Sequence, residues 1–417
     1  MFSSIFSTAP PVDPKASNFH PLTENVKDGV YYGPLTPKDT EWLCTTSGFT
    51  AETQTFYVNT DDNKSIMCQV IHSSVGLWYP QIQFNAKVYD SADKSKVWKT
   101  INLSNFVVAP SGLDKRSCKS DQGSITHKET GDPAYPESYT IDANLDVDLQ
   151  LHIEFKRPAA IPGWKAGAGE KGGYSYFGAD VQNPDGYVIH RIFPRLETTG
   201  HYVSKGAMKT FSGAGFFVHA IQGMRPNLVA SSWNFANFQS KDGTSAVQME
   251  FTTTSDYGKH GAGSGHVKVI VGSLVHDGKL VCVTAQTHYP GESSEGDVRC
   301  SATHSKTFKD ADTSYNAPQE VIHEFAGPSL LPDAPGTASA KLVVDLGADA
   351  TKGLIEKVDF LAEVPYVIKM AVNYVAGTKP FIYQWYNPST KLSLTLPGAS
   401  PIEVEGSFYN EASFLSV

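Results

Sequence analysis

The stretch "VDLQLHIEF", residues 147–155, alternates apolar and polar residues without interruption. Val147, Leu149, Leu151, Ile153 and Phe155 would point to one side of an extended chain, and the polar residues between them to the other. A period of two with one polar face is typical of an antiparallel sheet that packs against a core on one side and faces water on the other. The stretch therefore predicts a half-buried β-strand.

Similar patterns recur about every ten to fifteen residues from Thr36 onward. Examples are "SIMCQVIHSS" at 65–74, "HVKVIVGSLV" at 266–275 and "FIYQWYN" at 381–387. About twenty such strands in 417 residues fit two antiparallel barrels or sandwiches of roughly eight to ten strands each. Regular hairpins with few helices exclude a βαβ architecture, so the sequence predicts an all-β protein.

One segment has a convincing helical pattern, "EVPYVIKMAVNYVAG" at 363–377. Pro365 stands near the first helical position and Gly377 is suited to end the helix. We expect this helix to close one end of a barrel. The Gly-rich tract at 163–178 and the loop at 203–215 are candidate seams, so we expect a tail over 1–35 and two domains over 36–210 and 211–417.

Composition excludes several classes of protein. A hydrophobic content of 40% with 18% charged residues is typical of a folded globular chain. The net charge of −9 argues against nucleic-acid binding, which needs a basic face to neutralise phosphates. No apolar run approaches the ~20 residues of a membrane span. The start of the sequence does not resemble a signal peptide, so we expect a cytoplasmic protein.

The five cysteines form an odd number with no CxxC spacing. This usage favours reduced, mostly buried thiols. Cys118 and Cys300 stand among polar residues, so we expect these two thiols to be the exposed ones.

The N-terminus carries a short amphipathic pattern. Phe2, Ile5 and Phe6 are spaced i, i+3, i+4, with serines opposite, before Pro10-Pro11 stops any helix. These three side chains are candidates for membrane contact, which would be weak and reversible because ordering the segment offsets most of the gain. A frayed tail is the alternative.

Motifs that carry known chemistry are incomplete in this sequence. "GAGEKG" at 167–172 is not followed by a helix, which a dinucleotide site requires. His323-Glu324 lacks the second histidine of a zinc protease, and no G-x-S-x-G elbow is present. A lone histidine in a strand, such as His152 or His190, is interpreted as outward-facing or as a satisfied core residue. We therefore expect no catalytic constellation, no metal and no cofactor.

The segment "GFFVHAIQGMRPNLVASSWNFANFQS", residues 215–240, mixes aromatic residues with amides. Either it forms a hydrogen-bonded corner of the core, or it lines a cavity that holds a ligand.

Together with other stretches, this segment resembles the fungal survival-factor family. The resemblance runs from about Leu35 to Ser416 and is carried by long, unusual stretches. These are "TQTFY" (53–57), "CQVIHSSVG" (68–76), the segment 215–240, "SAVQMEFTTTSDYG" (245–258) and "KVDFLAEVPYVIKMAVNYVAGTKPFIYQW" (357–385).

The resemblance implies two tandem lipocalin-like antiparallel β-barrel domains that bind ceramide. It further implies non-vesicular transfer of ceramide from the endoplasmic reticulum to the Golgi, reversible association with those membranes, and support of survival under oxidative stress. The nucleus is a further candidate location. Family members carry a longer amphipathic N-terminus than this sequence, in which the pattern ends by Pro10, so the strength of membrane recruitment stays an open question.

A ceramide head group offers one amide and two hydroxyls without charge, so it needs neutral polar partners and apolar walls. The ligand-binding candidates under this resemblance are Gln69, His72, Trp78, Gln222, Met224, Trp233, Asn234, Phe235, Asn237 and Gln239. The alternative is that the amides cap a barrel or join the two domains through buried hydrogen bonds.

Two other functions stay open. Similar tandem lipocalin-like folds serve as pericyclases, isomerases or hydratases on hydrophobic polyenes, and such an enzyme would hold a titratable group close to its ligand. A scaffold without a ligand would have filled barrels and no continuous cavity. The sequence leaves the oligomeric state open.

Overall fold

The computed structural model describes residues 16–46, 48–75, 80–260, 263–291, 298–363 and 379–415. These residues form two antiparallel sheets with a few short helices, so the predicted all-β fold class is confirmed. The helix predicted over 363–377 lies almost wholly outside the described residues. None of the helices described is long and apolar enough to cross a membrane.

The first sheet contains the N-terminal strands. They are β1 Phe19–His20, β2 Tyr32–Pro34, β3 Phe49–Thr60, β4 Lys64–Val75, β5 Gln81–Asp90, β6 Ser95–Asn102, β7 Val107–Val108, β8 Cys118–Lys119, β9 Gly123–Glu129, β10 Glu137–Asp146, β11 Leu149–Arg157, β12 Trp164–Ala166, β13 Tyr174–Phe177, β14 Gly186–Ser204 and β15 Ala207–Gln222.

The second sheet contains the remaining strands. They are β16 Ser232–Gln239, β17 Ser245–Thr252, β18 Lys268–His276, β19 Lys279–His288, β20 Arg299–Lys309, β21 Asn316–Pro328, β22 Thr337–Asp345, β23 Leu354–Asp359, β24 Phe381–Thr395 and β25 Ile402–Phe414. The helices are α1 Pro226–Val229 and α2 Phe360–Glu363, with 3₁₀ turns at Leu22–Asn25, Pro37–Thr40 and Ser255–Tyr257.

Each sheet curls into a nearly closed barrel. The main path of the first sheet runs β6-β5-β4-β3-β15-β14-β11-β10-β9-β8-β7, and an ion pair between Lys99 on β6 and Asp146 on β10 links its two sides. The second sheet runs β19-β18-β17-β16-β25-β24-β22-β21-β20. There Gln286 on β19 accepts the backbone N–H of Cys300 on β20, at 3.0 Å. We call these sheets the first barrel and the second barrel.

The chain passes from one barrel to the other between Gln222 and Ser232. The division expected near residue 210 falls inside β15, which pairs with β14 and β3 of the first barrel. A long hairpin that continues through residue 210 accounts for the difference.

Aromatic side chains fill the first barrel. Phe56 lies 4.7 Å from Phe217 and 4.9 Å from Phe155, measured between ring centroids, and Tyr139 stacks on Phe217 at 5.3 Å. The alternation predicted for β11 is confirmed from Leu149 to Phe155, whose apolar side chains are at most 4% exposed.

Val147 was predicted to share that buried face, and this is wrong. Its side chain is 80% exposed because β10 ends at Asp146 and β11 begins at Leu149. The Asp146 carboxylate accepts the N–H groups of Asp148 and Leu149, which fixes a tight turn with Val147 at its tip.

The second barrel is also filled, by a cluster that includes Tyr383, Trp385 and Phe408. A third apolar cluster lies between the two barrels and takes residues from both sheets. In it, the ring centroid of Tyr57 in the first barrel lies 5.1 Å from that of Phe235 and 5.2 Å from that of Tyr409 in the second barrel. The barrels therefore share a core at their contact.

The predicted exposure of Cys118 and Cys300 is wrong. Their exposed fractions are 2% and 0% because both side chains turn inward from their strands. Burial raises the pKa of each thiol to about 12, so neither is the reactive, low-pKa kind of cysteine.

A buried ion cluster ties the N-terminal segment to the first barrel. The Asp39 carboxylate accepts hydrogen bonds from Lys165 at 2.8 and 2.9 Å and from Arg191 at 2.8 Å. Burial alone would raise the pKa of Asp39, but the hydrogen bonds from Lys165, the Thr36 N–H and Arg191 outweigh it and lower the pKa to about 2. The stabilisation is therefore present at neutral pH and is lost as the pH falls toward that value.

We predict that Asp39→Asn lowers the free energy of unfolding by about 3–5 kcal/mol, because it leaves Lys165 and Arg191 buried without their counter-charge. Chemical denaturation at pH 7 measures this. The control is Glu324→Gln, which removes the exposed pair with Lys341 and should change stability by less than about 1 kcal/mol. Equal effects of the two substitutions would contradict the structural role given to Asp39.

Candidate functional site

A cavity of about 390 Å³ lies between the two barrels. Its wall is formed by β3–β6, β14 and β15 of the first barrel, and by β16, β17 and β23–β25 of the second. Most of the wall is apolar. The apolar lining residues are Phe49, Ala51, Tyr57, Met67, Ile71, Trp98, Val188, Val218, Ala220, Ile221, Met224, Trp233, Phe235, Met249, Val358, Phe360, Ile382 and Leu415.

Strand alternation explains why this wall forms outside the barrels. On β3, Phe56 and Val58 point into the first barrel, so Tyr57 must point to the other side, toward the cavity. On β16, Ala236 and Phe238 belong to the core of the second barrel. The interbarrel cavity is thus bounded by the outer faces of strands whose inner faces fill the barrels.

A group of neutral polar side chains lies on the first-barrel side of the cavity. Gln69 Nε2 donates to Thr55 Oγ1 at 2.7 Å, and Asn85 Nδ2 donates to Gln69 Oε1 at 3.2 Å. The Asn85 Oδ1 atom is buried and has no hydrogen-bond partner among the described residues. It is therefore an acceptor that a ligand inside the cavity could satisfy.

A carboxyl group, Glu411, faces the cavity from β25. Its Oε1 accepts hydrogen bonds from Tyr409 and, at 2.7 Å, from Gln384 Nε2. Burial raises the pKa of Glu411, and the hydrogen bonds from Tyr409 and Gln384 and the charge of Lys87 oppose this only in part. The group therefore keeps its proton to a higher pH than an ordinary glutamate.

Lys87 of the first barrel does not line the cavity but connects the two barrels beside it. Its ammonium donates to Gln384 Oε1 and to Glu356 at 3.2 Å, both on the second barrel, and lies 3.9 Å from the centre of the Trp98 ring. Gln384 therefore bridges Lys87 and Glu411. The arrangement fixes the orientation of the Gln384 amide, since one end accepts and the other donates.

His190 is another ionisable group of the wall. Burial, followed by the charge of Arg191, lowers its pKa to about 4. Its ring lies 6.0 Å from that of Trp233. The sequence interpretation of His190 as an ordinary outward or core histidine missed this placement, because it depends on the contact between barrels.

The structure brings six of the ten predicted ligand-binding residues into the wall. They are Gln69, Gln222, Met224, Trp233, Asn234 and Phe235. Trp78 and the membrane-contact candidates Phe2, Ile5 and Phe6 lie outside the described residues. His72, Asn237 and Gln239 are described but do not line the cavity.

His72 points into the end of the first barrel, away from the interbarrel cavity. Donor atoms of His72, Cys44 and Glu52 lie within 4.8 Å of one another, and these atom types could in principle hold a metal ion. However, the Glu52 carboxylate already accepts the N–H groups of Leu43 and Cys44 and a hydrogen bond from His219 at 2.9 Å. We interpret the cluster as a hydrogen-bonded closure of the barrel end.

Asn237 and Gln239 join the two barrels. Gln239 Nε2 donates to Asn237 Oδ1 at 2.8 Å and to the Pro194 carbonyl at 3.1 Å. Arg195 of the first barrel donates to Gln239 Oε1 and to the Ser240 carbonyl, both at 3.0 Å. These amides therefore follow the alternative that the sequence left open, in which they link the domains.

Sequence reasoning missed Thr55, Asn85, Trp98, Gln384 and Glu411. Each is one polar or aromatic residue in an otherwise ordinary strand, and only the register of five strands brings them together. One local signal could have pointed to Glu411. It stands two residues after Tyr409 on β25, so the two side chains share one face of that strand.

Comparisons with known proteins agree on family and fold. A family model described as "Svf1 family" matches residues 2–416. The ceramide-binding protein svf1 of Aspergillus fumigatus is 34% identical over 404 residues, which cover 92% of this chain and 91% of that protein. The protein of the same name from Schizosaccharomyces pombe is 30% identical, with 98% of this chain and 96% of that one covered.

Two solved structures share the fold at low sequence identity. The crystal structure of CghA with Sch210972 has a TM-score of 0.58 at 10% identity and covers 96% of this chain and 98% of its own. That of a putative AttH from Nitrosomonas europaea has a TM-score of 0.52 at 14% identity and covers 94% and 99%. At these identities the likeness supports the fold alone.

We predict that Arg195→Ala lowers the free energy of unfolding by about 2–5 kcal/mol, because Gln239 and the Ser240 carbonyl lose a charged donor at the barrel contact. Denaturant titration measures this change, and faster amide exchange along β14 and β16 would locate it. Arg299→Ala, on an exposed arginine, is the matched control, with an expected change within about 0.5 kcal/mol. Unchanged stability of the Arg195 variant would mean that these hydrogen bonds do not hold the barrels together.

Proposed function

This chain belongs to the Svf1 family, and from that premise we propose that it binds ceramide or a related sphingolipid in the interbarrel cavity and transfers it between membranes. The relatives from Aspergillus fumigatus, Emericella nidulans and Schizosaccharomyces pombe are all named as ceramide-binding proteins rather than as enzymes. The observation that carries the proposal is the cavity itself, an apolar space with a small set of neutral polar groups on one side.

The chemistry of ceramide fits such a wall. Each methylene withdrawn from water contributes about 0.8 kcal/mol, so two long chains need an enclosed apolar path to leave a bilayer. The head group needs neutral donors and acceptors. Gln69 and the unpaired Asn85 Oδ1 supply acceptors for the amide N–H and the hydroxyls, and the Gln222 side chain offers a donor and an acceptor on the same cavity.

The size of the cavity constrains how the lipid would lie. Its 390 Å³ falls in the lower part of the roughly 300–1,000 Å³ range of small-molecule sites. A lipid with two long chains would fill this space and extend beyond it. We therefore expect the head group and the first methylenes to lie in the cavity between the barrels.

The cellular part of the proposal is that transfer runs from the endoplasmic reticulum to the Golgi and that the protein is cytoplasmic, associating reversibly with both membranes. The Phe2, Ile5 and Phe6 pattern supports it, because three apolar side chains on one face suit brief contact with a bilayer surface. Support of survival under oxidative stress would follow indirectly from sphingolipid balance. Burial raises the pKa of all five cysteine thiols, which argues against a direct redox role.

One observation favours a second candidate, a lipocalin-fold enzyme acting on a hydrophobic polyene. Glu411 and His190 are ionisable groups in the cavity wall, as an acid–base catalyst requires. Mass spectrometry of the bound lipid separates the two functions. A carrier returns its ligand chemically unchanged after many transfer cycles, whereas an enzyme converts it.

We predict that Ala220→Trp reduces ceramide binding at least tenfold, because the indole would occupy the cavity that Ala220 lines. Extraction of ceramide from liposomes by the purified protein measures the loss. Ala207→Trp is the control, since residue 207 lies on the same strand at an exposed hairpin end and its substitution should leave extraction unchanged. Equal extraction by the Ala220 variant and the wild type would place ceramide somewhere else.

We predict that replacing Phe2, Ile5 and Phe6 together by serine slows ceramide transfer between liposomes by at least fivefold, since membrane contact loses its apolar face. Binding of a water-soluble short-chain ceramide reports on the cavity separately. Changing Ser3 and Ser4 to alanine serves as the control and should leave transfer intact. If the triple variant transferred ceramide as fast as the wild type, the N-terminal residues would have no role in transfer.

A further inference from the structure

The cavity wall has an uneven distribution of charge. No lysine or arginine lines the part of the wall that the structure describes, whereas Glu411 does. His190 adds no positive charge near neutral pH, because burial lowers its pKa to about 4. The formal charge that these lining side chains can present to a ligand is therefore the negative charge of Glu411 once it has lost its proton.

Two cations contact residues of the wall without lining the cavity themselves. The Lys87 ammonium contacts Glu356, Gln384 and the Trp98 ring. The Arg225 guanidinium lies 4.4 Å from the centre of the Phe49 ring. An anionic head group inside the cavity would therefore be lined by the Glu411 carboxyl but by no lysine or arginine of the described residues.

We propose that Glu411 makes the interbarrel cavity reject anionic lipids, so that the protein distinguishes ceramide from a phosphorylated ceramide with the same chains. This inference rests on the proposed function, because it concerns the head-group selectivity of the same cavity. The phosphate of such a lipid carries about −1.5 to −2 charges at pH 7, and a low-dielectric wall whose described lining holds no lysine or arginine compensates them poorly. Neutral head groups escape this penalty, and cationic ones would gain from the carboxylate.

The geometry of Glu411 suits this role. Its Oε1 is held by Gln384 and Tyr409, so the carboxyl cannot easily swing out of the cavity to accommodate an anion. Gln384 is itself fixed by Lys87. A carboxyl in a set position acts on the ligand whether or not it touches the ligand, because repulsion between like charges is long-ranged in an apolar surrounding.

Discrimination should rise with pH. The pKa of Glu411 is raised, so the group is neutral at low pH and becomes a carboxylate as the pH climbs through that raised value. The repulsion of an anion then increases. The titratable groups around it are Lys87 on β5, Tyr57 on β3, His190 on β14, Glu356 on β23 and Tyr409 on β25.

Of these neighbours, the tyrosines stay neutral through this range, since burial raises the pKa of both. Burial lowers the pKa of Lys87, and the pair with Glu356 at 3.2 Å opposes this shift. Glu411 is the carboxyl among these groups that lines the cavity, so we assign the pH dependence of selectivity to it.

The test measures extraction of ceramide and of ceramide 1-phosphate with identical chains from phosphatidylcholine liposomes, at pH 5.5 and pH 8. For the wild type we expect ceramide to be preferred at least tenfold, with a larger preference at pH 8. Glu411→Gln keeps the shape but cannot ionise, so the preference should fall at least fivefold and lose most of its pH dependence. The phosphate of the lipid also loses its second proton between these pH values. This affects the wild type and the Glu411→Gln variant equally, so it cancels when the two proteins are compared.

Glu250→Gln is the matched control. Glu250 is also a buried carboxyl with a raised pKa, but it lies inside the second barrel and does not line the cavity. Its substitution should leave the preference as in the wild type. An equal drop in both variants would attribute the effect to general loosening of the structure and overturn the role of Glu411.

The outcomes separate this inference from the proposed function. If the wild type extracts neither lipid, the ceramide proposal itself fails. If it extracts both lipids equally well, or if Glu411→Gln leaves the preference and its pH dependence unchanged, ceramide binding stands and the selectivity role of Glu411 is wrong.

Discussion

The structure depends on strands that are buried on both faces where the two barrels meet. On β3 the side chains of Phe56 and Val58 fill the first barrel, and Tyr57 between them packs against Phe235 and Tyr409 of the second barrel. Such a strand has no face left for water, so each barrel has to cover the outer wall of the other. The cavity is the part of that shared contact which the side chains do not fill.

The sequence predicted those features that depend on one strand at a time. The alternation from Leu149 to Phe155 identified a half-buried strand correctly, because a single polar face leaves a clear period of two. The position of the cavity could not be predicted in this way. A strand buried on both faces has no polar alternation, and its sequence does not say which side packs inside its own barrel and which against the other.

The residues predicted to bind a ligand on β16 show the same limit of reasoning from one strand at a time. Trp233, Phe235, Asn237 and Gln239 alternate along β16 and share its interbarrel face. The first two line the cavity, and the last two form the hydrogen-bonded seam to Arg195 and Pro194. One face of one strand thus lines the cavity at one end and forms a structural joint at the other. The segment thus contains both a cavity wall and a hydrogen-bonded corner, and ligand binding at the wall stays a prediction.

A site between two units follows different rules from a site within one barrel. Neither barrel alone has a complete wall, because Gln69 and Asn85 come from the first and Gln384 and Glu411 from the second. A ligand that contacts both sides binds only the joined arrangement, and it must stabilise that arrangement by the free energy of its own binding. Arg195 and Lys87 donate hydrogen bonds across that contact, so they hold together the arrangement on which the cavity depends. The wall of the cavity and the joint that maintains it are thus formed by different residues.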